Sequence, residues 1–92
     1  MLSFEWDEEK AAANHRRHGV SFELATLVFK DPFAVERIDD RRDYGEERLV
    51  LIGMARGAVF FVVYTEREER IRLISARRAT KQECDDYVRQ GF

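Results

Sequence analysis

The sequence predicts an α+β fold, in which helices pack mainly on one face of an antiparallel sheet. Three observations support this prediction. An alanine-rich segment with helix signals at both ends lies early in the chain, several apolar strand-like runs follow, and a capping box opens a last helical segment. The chain has 92 residues and no linker-like stretch, so we expect a single domain over residues 1–92.

The beginning of the chain predicts a short strand and a first helix. SFEW at residues 3–6 is typical of a strand, and Asp7 follows it as a helix N-cap. The helix is expected over residues 8–18. It ends at Gly19, since glycine is the residue that most readily adopts the left-handed conformation after a helix.

A second, shorter helix and another strand come next. Ser21 is an N-cap candidate for a helix over residues 22–30, which Pro32 terminates. FAVERI at residues 33–38 alternates like a strand. The polar residues 39–47 are expected to form a loop.

Three further strands are predicted at residues 48–54, 59–66 and 70–78. Arg56-Gly57 forms a tight turn between the first two. The run at 59–66 is almost continuously apolar, which favours a central strand covered on both faces. The REER turn before the last strand lacks the Gly or Asn that a two-residue hairpin prefers.

The last helix is predicted from the capping box of Thr80 and Glu83. Cys84, Tyr87 and Val88 are expected to give this helix an apolar stripe. Cys84 is the sole cysteine, which excludes an internal disulfide and a zinc site built on cysteines.

Charge is unevenly distributed along the chain, whose formal net charge is −2. Residues 1–44 hold seven Lys/Arg and ten Asp/Glu, a net −3, whereas residues 67–81 hold six Lys/Arg and two Asp/Glu, a net +4. The acidic total argues against a general affinity for nucleic acids, so a polyanion would bind at the later segment. No apolar run is long enough to span a membrane, and we expect no membrane association.

The arginines of this later segment form two groups. Arg70 and Arg72 are expected to form ion pairs with the hairpin glutamates at positions 66, 68 and 69. Arg77 and Arg78 lie at the strand end, directly before a helix N-terminus, where a phosphate could bind. A structural role for Arg77 and Arg78 is equally compatible with the sequence.

The faces of the last strand follow from alternation. Strict alternation places Arg77 with Ile71 and Leu73 on one face, and Arg78 with Arg72 on the other. Neither face is then uniformly apolar, which indicates a bulge or an end effect that re-aims the last residues.

The first helix carries a polar stripe of Lys10, Asn14 and His18 at spacing i, i+4 and i+8. The charged form of His18 is stabilised at a helix C-terminus, which suits a general acid or a phosphate partner. The alternative is that His18 only caps the helix and Asn14 bonds a nearby backbone group. His15 and His18 lack further ligands at suitable spacing, so no metal site and no cofactor are expected.

The start of the sheet offers one more candidate site. Glu46 and Glu47 precede Arg48, and a carboxylate beside this arginine could act as a base with an electrostatic partner or form a surface ion pair. Tyr64 shares its face with Phe60 and Val62. This position fits an ordinary core residue whose hydroxyl lies near an edge of the sheet.

Five segments together resemble a known family. They are FEWDEEKAAANHRRHGVSFELA, FKDP, GEERLVLIG, VVYTER and IRLISARRAT. In this order they cover nearly the whole chain and are similar to BrnT, the ribonuclease toxins of a bacterial type II toxin–antitoxin module. The resemblance implies a RelE-like fold, with a small antiparallel sheet, two N-terminal helices and one C-terminal helix.

The resemblance also implies an activity and its setting. Toxins of this kind cleave RNA, free or on the ribosome, without a metal, and they inhibit translation and growth in the cytoplasm. The ribose 2′-hydroxyl is the nucleophile, so the protein supplies a base, an acid and cations around the phosphate. A BrnA-type antitoxin with a ribbon-helix-helix domain neutralises the toxin, and operator DNA is bound only through that antitoxin.

Carried over by position, the resemblance assigns roles to individual residues. His18 is the expected general acid, and Glu47 or Lys10 is the expected base. Arg67 and Arg77 are expected to stabilise the reacting phosphate. RNA binding is expected from Arg48, Tyr64, Arg67, Arg77 and Arg78.

A second hypothesis from a different class fits the same residues. The chain could be a non-catalytic binding module that acts within a toxin–antitoxin-like operator complex. It would share the fold and the basic segment and would leave RNA intact.

Overall fold

A five-stranded sheet and three helices make up the protein, as a computed structural model that describes residues 2–41 and 43–90 shows. The α+β class predicted from the sequence is therefore confirmed. Of the predicted loop 39–47, residue 42 lies outside the described residues. The elements are β1 (Ser3–Glu5), α1 (Glu8–His18), α2 (Phe22–Val28), β2 (Val35–Asp39), β3 (Arg48–Ala55), β4 (Ala58–Arg67), β5 (Arg70–Arg78) and α3 (Lys81–Arg89).

α1 spans the predicted residues and the three helices begin where the sequence predicted, but α2 ends early. The Asp7 side chain accepts hydrogen bonds from two backbone N–H groups of α1, and Gly19 ends that helix in the left-handed conformation with φ 70°. Ser21 caps α2 in the same way, but α2 stops at Val28, two residues earlier than predicted. The predicted capping box at Thr80 is present. No helix of the described residues is long and apolar enough to cross a bilayer.

The strands lie in the order β1-β5-β4-β3-β2. β1 runs parallel to β5, and all other neighbours are antiparallel. β4 is therefore central, and it is buried from Phe60 to Thr65, which confirms the prediction for its apolar run.

Apolar side chains on both faces of the sheet are covered, by different helices. Val62 and Leu73 belong to the core under α1 and α2. Ile52 and Phe61 belong to a smaller core on the other face, which Tyr87 of α3 completes. The expectation of helices mainly on one face is therefore wrong for α3, because β3 and β4 present apolar residues in both directions.

The predicted apolar stripe of α3 is only partly correct. Tyr87 is buried and Cys84 is half-buried, but Val88 is 77% exposed. α3 is thus anchored to the sheet through Tyr87, and Val88 faces away from it.

A β-bulge changes the orientation of the last part of β5. Tyr64 pairs with Leu73 and Val63 pairs with Ser75, so Ile74 is an extra residue on β5. Ala76 consequently returns to the core face that Leu73 occupies, where it is fully buried. The bulge that the mixed face pattern indicated is therefore present.

Candidate functional site

A basic cleft of about 190 Å³ opens where α1 approaches the ends of β3, β4 and β5. Its charged lining consists of Asp7, Lys10, Glu46, Arg48, Arg67 and Arg72. Leu73 and Ile74 complete the lining. Four cations against two carboxylates make this cleft positive in a chain whose net charge is −2.

Strand pairing brings the three arginines of the basic cleft together. Arg48 is the first residue of β3 and Arg67 is the last of β4, so both lie at the same edge of an antiparallel pair. Arg72 of β5 pairs with Thr65, which lies two residues before Arg67 and on the same face. Lys10 reaches this edge from α1.

Glu46 lies between two of these arginines but does not satisfy them. Its carboxylate oxygens are 3.8 Å from Arg48 Nε and 3.8 Å from Arg67 Nη2, longer than hydrogen bonds. Arg48 Nε is buried and donates no hydrogen bond to any described residue, while the guanidinium stacks on the Tyr44 ring at 4.0 Å. A buried donor of this kind favours an anionic ligand, since a phosphate oxygen would accept from it.

Arg72 forms an ion pair with a glutamate of the neighbouring strand β1. Arg72 Nη1 donates to Glu5 Oε2 at 3.1 Å, and Arg70 Nη1 lies 3.7 Å from Glu5 Oε1. For the described residues, the prediction that these two arginines pair with the hairpin glutamates at positions 66, 68 and 69 is therefore wrong. The physical reason is that β1 adds beside β5 and places Glu5 directly next to Arg72.

Tyr64 lies on the opposite side of the sheet from the basic cleft. It is 2% exposed and belongs to the core under α1 and α2. Its hydroxyl donates to the carboxylate of Glu36. Burial first, and the adjacent Glu36 carboxylate second, raise the pKa of Tyr64 well above its ordinary value.

Arg77 and Arg78 point to opposite faces of the sheet. Arg77 lies 4.0 Å from the centre of the Phe61 ring and donates two hydrogen bonds to Glu83, at 2.8 and 3.0 Å. Arg78 lies 5.7 Å from the Phe60 ring on the other face. The two guanidinium groups therefore do not form one fork around a single phosphate.

The pair of Arg77 and Glu83 has a marked effect on the carboxylate. Burial alone would raise the pKa of Glu83, but the hydrogen bonds and charge of Arg77 and the backbone N–H of Thr80 lower it below its ordinary value. Glu83 therefore stays ionised and holds Arg77 in place.

Glu47 and His18 lie outside the basic cleft. Glu47 is exposed, and its backbone oxygen accepts a hydrogen bond from Thr65 Oγ1 at 2.8 Å. Its neighbour Glu46 is the one that lines the cleft. His18 is exposed at the end of α1, about 12 Å along the helix axis from Lys10.

A comparison with models of known protein families shows which family this chain belongs to. Residues 6–83 match the family model described as the ribonuclease toxin BrnT of type II toxin–antitoxin systems. The chain belongs to the BrnT family. A comparison with curated proteins gave no match.

The basic cleft brings together part of the set of residues predicted from the sequence. Of the residues singled out by sequence, Lys10, Arg48 and Arg67 meet there. Among the described residues, no three His, Cys, Asp or Glu side chains come close enough together to hold a metal ion.

Two further arginines lie on the cleft side of this BrnT sheet and were not predicted from the sequence to belong to the site. Arg37 and Arg41 lie 5.8 and 5.9 Å from the Phe61 ring that Arg77 also contacts. The alternation of FAVERI could have placed Arg37 on this face, whereas Arg41 lies in a loop with no periodicity. A two-point hydrogen bond fixes Arg41 to Asp39 at 2.7 and 2.8 Å.

Proposed function

We propose that this chain is a metal-independent endoribonuclease that cleaves RNA through attack of the ribose 2′-hydroxyl. The observation that carries the proposal is the basic cleft, with a buried and unsatisfied Nε on Arg48 beside a second arginine. In the reaction the 2′-oxygen bonds to phosphorus while the bond from phosphorus to the 5′-oxygen breaks. The products are a 2′,3′-cyclic phosphate and a 5′-hydroxyl.

The arginines of the cleft supply electrostatic stabilisation. Negative charge grows on the phosphate oxygens as the fifth bond to phosphorus forms. Arg48 and Arg67 lie on either side of Glu46 at the cleft and would donate to these oxygens. Both residues lie at ends of paired strands, which fixes the backbone positions from which their side chains extend.

Two groups in the cleft suit the proton transfers. Lys10, which the resemblance offered as an alternative base, lies in the cleft, and its ammonium group can instead protonate the leaving 5′-oxygen. Glu46 lies where Glu47 was expected, and its carboxylate can accept the proton of the 2′-hydroxyl. His18 lies at the other end of α1 from Lys10, about 12 Å along the helix axis and outside the basic cleft, which favours a role in holding the RNA strand over the role of acid.

The biological setting of this activity follows from the BrnT family. A type II toxin acts together with a protein antitoxin, and we propose that the partner is a BrnA-type ribbon-helix-helix protein that neutralises the toxin by direct contact. Cleavage of cytoplasmic RNA would then stop translation and growth when the antitoxin is lost. Operator DNA would be bound through the antitoxin.

Cleavage of purified RNA, with and without EDTA, tests the proposal. We expect wild-type cleavage that EDTA does not reduce and products that end in a cyclic phosphate. Lys10→Ala and Arg67→Ala should each lower the rate at least about 100-fold, the usual contribution of a general acid or of one charge-stabilising donor. Both variants should also restore growth on expression.

A matched control separates this effect from simple loss of charge. Arg56 lies in the turn between β3 and β4, at the opposite end of β4 from Arg67, and it is exposed. Arg56→Ala removes the same charge and should retain wild-type cleavage. Intact RNA with the wild-type protein, also in translating extracts, would overturn the proposal in favour of the non-catalytic binding module.

A further inference from the structure

We infer that the groove between α1 and the bulge of β5 binds the nucleotide next to the cleaved phosphate. The substrate is then a single strand of RNA that lies across both the groove and the basic cleft. This inference rests on the proposed function and names a second binding site that the family assignment does not specify. We call this site the α1 groove. It is lined by Lys10, Ala13, Arg17, His18, Ile74 and Ser75, together with the buried Asn14.

The α1 groove exists because the edge of β5 is covered in two separate places. β1 pairs with β5 only from Arg70 to Arg72, and Asn14 of α1 bonds the backbone of Ala76. The bulge residue Ile74 and its neighbour Ser75 lie between these two covers. A volume of about 210 Å³ remains beside them.

The α1 groove continues into the basic cleft. Lys10 and Ile74 line both spaces. Lys10 and Arg17 are seven residues apart on α1, which separates them by about 10 Å along the axis. Successive nucleotides rise about 3.4 Å in a stacked strand, so this distance spans more than one nucleotide.

The charges of the α1 groove differ from those of the basic cleft. The cleft includes Asp7 and Glu46, whereas no carboxylate among the described residues lines the groove. Within residues 2–41 and 43–90, neither Lys10 nor Arg17 forms an ion pair with a side chain. Two cations that form no ion pair with a described side chain favour a polyanion whose charges repeat along its length.

The remaining lining suits the other parts of a nucleotide. Ala13 and Ile74 offer an apolar surface on which a base or a sugar can pack, and the Ser75 hydroxyl can bond a sugar or phosphate oxygen. None of these contacts distinguishes one base from another. Unpaired strands present their bases for such contacts, so the groove fits single-stranded RNA better than a duplex.

Binding of a 2′-O-methyl oligonucleotide, which cannot be cleaved, tests the inference at several salt concentrations. Each phosphate contact on a single strand contributes about 0.7 to the slope of log K against log salt. Arg17→Ala should therefore reduce the magnitude of the slope by about 0.7 and weaken binding about fivefold. Extending the oligonucleotide beyond the cleft should strengthen binding for the wild type more than for Arg17→Ala.

The neighbouring arginine is a matched control. Arg16 is exposed on the same turn of α1 and does not line the groove, so Arg16→Ala should keep the wild-type slope and length dependence. Equal losses for the two variants would overturn the inference, since they would show only the effect of total charge. Failure of the wild type to bind RNA at all would overturn the proposed function as well.

Discussion

The side-chain amide of Asn14 pairs with the backbone of Ala76 as a neighbouring strand would. Asn14 Nδ2 donates to Ala76 O at 2.9 Å, and Asn14 Oδ1 accepts from Ala76 N at 3.1 Å. The same Nδ2 donates to Val20 O at 2.9 Å, directly before α2. One buried side chain therefore fixes α1 to the edge of β5, and it sets the positions of Lys10 and Arg17 beside it.

Replacing Asn14 tests this relationship. Asn14→Ala leaves three buried backbone groups without partners, so we expect the free energy of unfolding to fall by about 3 kcal/mol. Urea unfolding followed by circular dichroism measures the change. His15→Ala is the control, because His15 is exposed and its loss should change stability by less than about 0.5 kcal/mol. Equal stability of the two variants would contradict the role of Asn14.

The ion pair of Arg77 and Glu83 should make stability depend on pH. The pKa of Glu83 is lower in the folded state than in the unfolded state, where it is about 4.5. Ionised Glu83 therefore stabilises the protein at pH values above about 4.5. That contribution is lost as the pH falls through the lowered pKa. Glu83→Gln keeps the capping box, since glutamine also serves at this position, but it removes the ion pair.

We therefore expect Glu83→Gln to be about 1–2 kcal/mol less stable than the wild type at pH 7 and no less stable well below pH 4. Unfolding measured over this pH range gives the difference. Asp85→Asn on the same helix removes the pair with Lys81, whose side chain is 92% exposed, and should change stability by less than about 0.5 kcal/mol. A pH-independent difference for Glu83→Gln would contradict the argument.

Local signals were sufficient to predict the elements of this fold. The cap at Asp7, the left-handed Gly19 and the capping box at Thr80 act within a few residues of their position in the sequence. Their chemistry is therefore readable without knowledge of distant contacts. The continuous apolar run of β4 likewise predicted its central place.

The faces of β5 and the composition of the site depend on contacts between distant segments. One extra residue at Ile74 exchanges the faces that strict alternation gives Arg77 and Arg78. The mixed face pattern indicated a bulge, but only the pairing with β4 fixes its position. Glu5 meets Arg72 only because β1 joins the sheet in parallel, 67 residues away in sequence. The sequence could therefore nominate Lys10, the arginines and a carboxylate beside Arg48 individually, but not which of these side chains meet in one cleft.

The attachment of α3 depends on a hydrogen bond between two distant side chains. Tyr87 OH donates to Asp31 Oδ2 at 2.6 Å, and the backbone N–H of Met54 donates to the same oxygen at 2.7 Å. Tyr87→Phe should lower the free energy of unfolding by about 2 kcal/mol at pH 7, since the lost partner is a charged group. Val88→Ala on the exposed side of α3 is the control and should change stability by less than about 0.5 kcal/mol.

The same bond predicts a loss of stability in alkali. Burial, together with the bond to Asp31, raises the pKa of Tyr87 to about 12. The contribution of Tyr87 is present below its unfolded pKa of about 10 and is lost as the pH rises towards 12. Tyr87→Phe should therefore lose less stability than the wild type over this interval, and equal losses would contradict the assignment.

The hairpin between β4 and β5 has two glutamates in an unfavourable backbone conformation. Glu68 and Glu69 have φ values of 51° and 65°, the left-handed pair of a type I′ turn that Asn-Gly adopts most readily. Replacing Glu68-Glu69 by Asn-Gly should raise the free energy of unfolding by about 1 kcal/mol and the Tm by about 4–8 °C. Replacement by Gln-Gln removes the same charges but keeps the backbone strain, so it should be less stabilising.

RNA binding by these two variants separates charge from backbone. Both remove two negative charges beside Arg67 and Arg70, so both should bind the uncleavable oligonucleotide more tightly than the wild type and to a similar extent. Stability should distinguish Asn-Gly from Gln-Gln, while RNA affinity should not. If Gln-Gln stabilised the protein as much as Asn-Gly, repulsion between charges would be the source of the instability, and the conformational argument would fail.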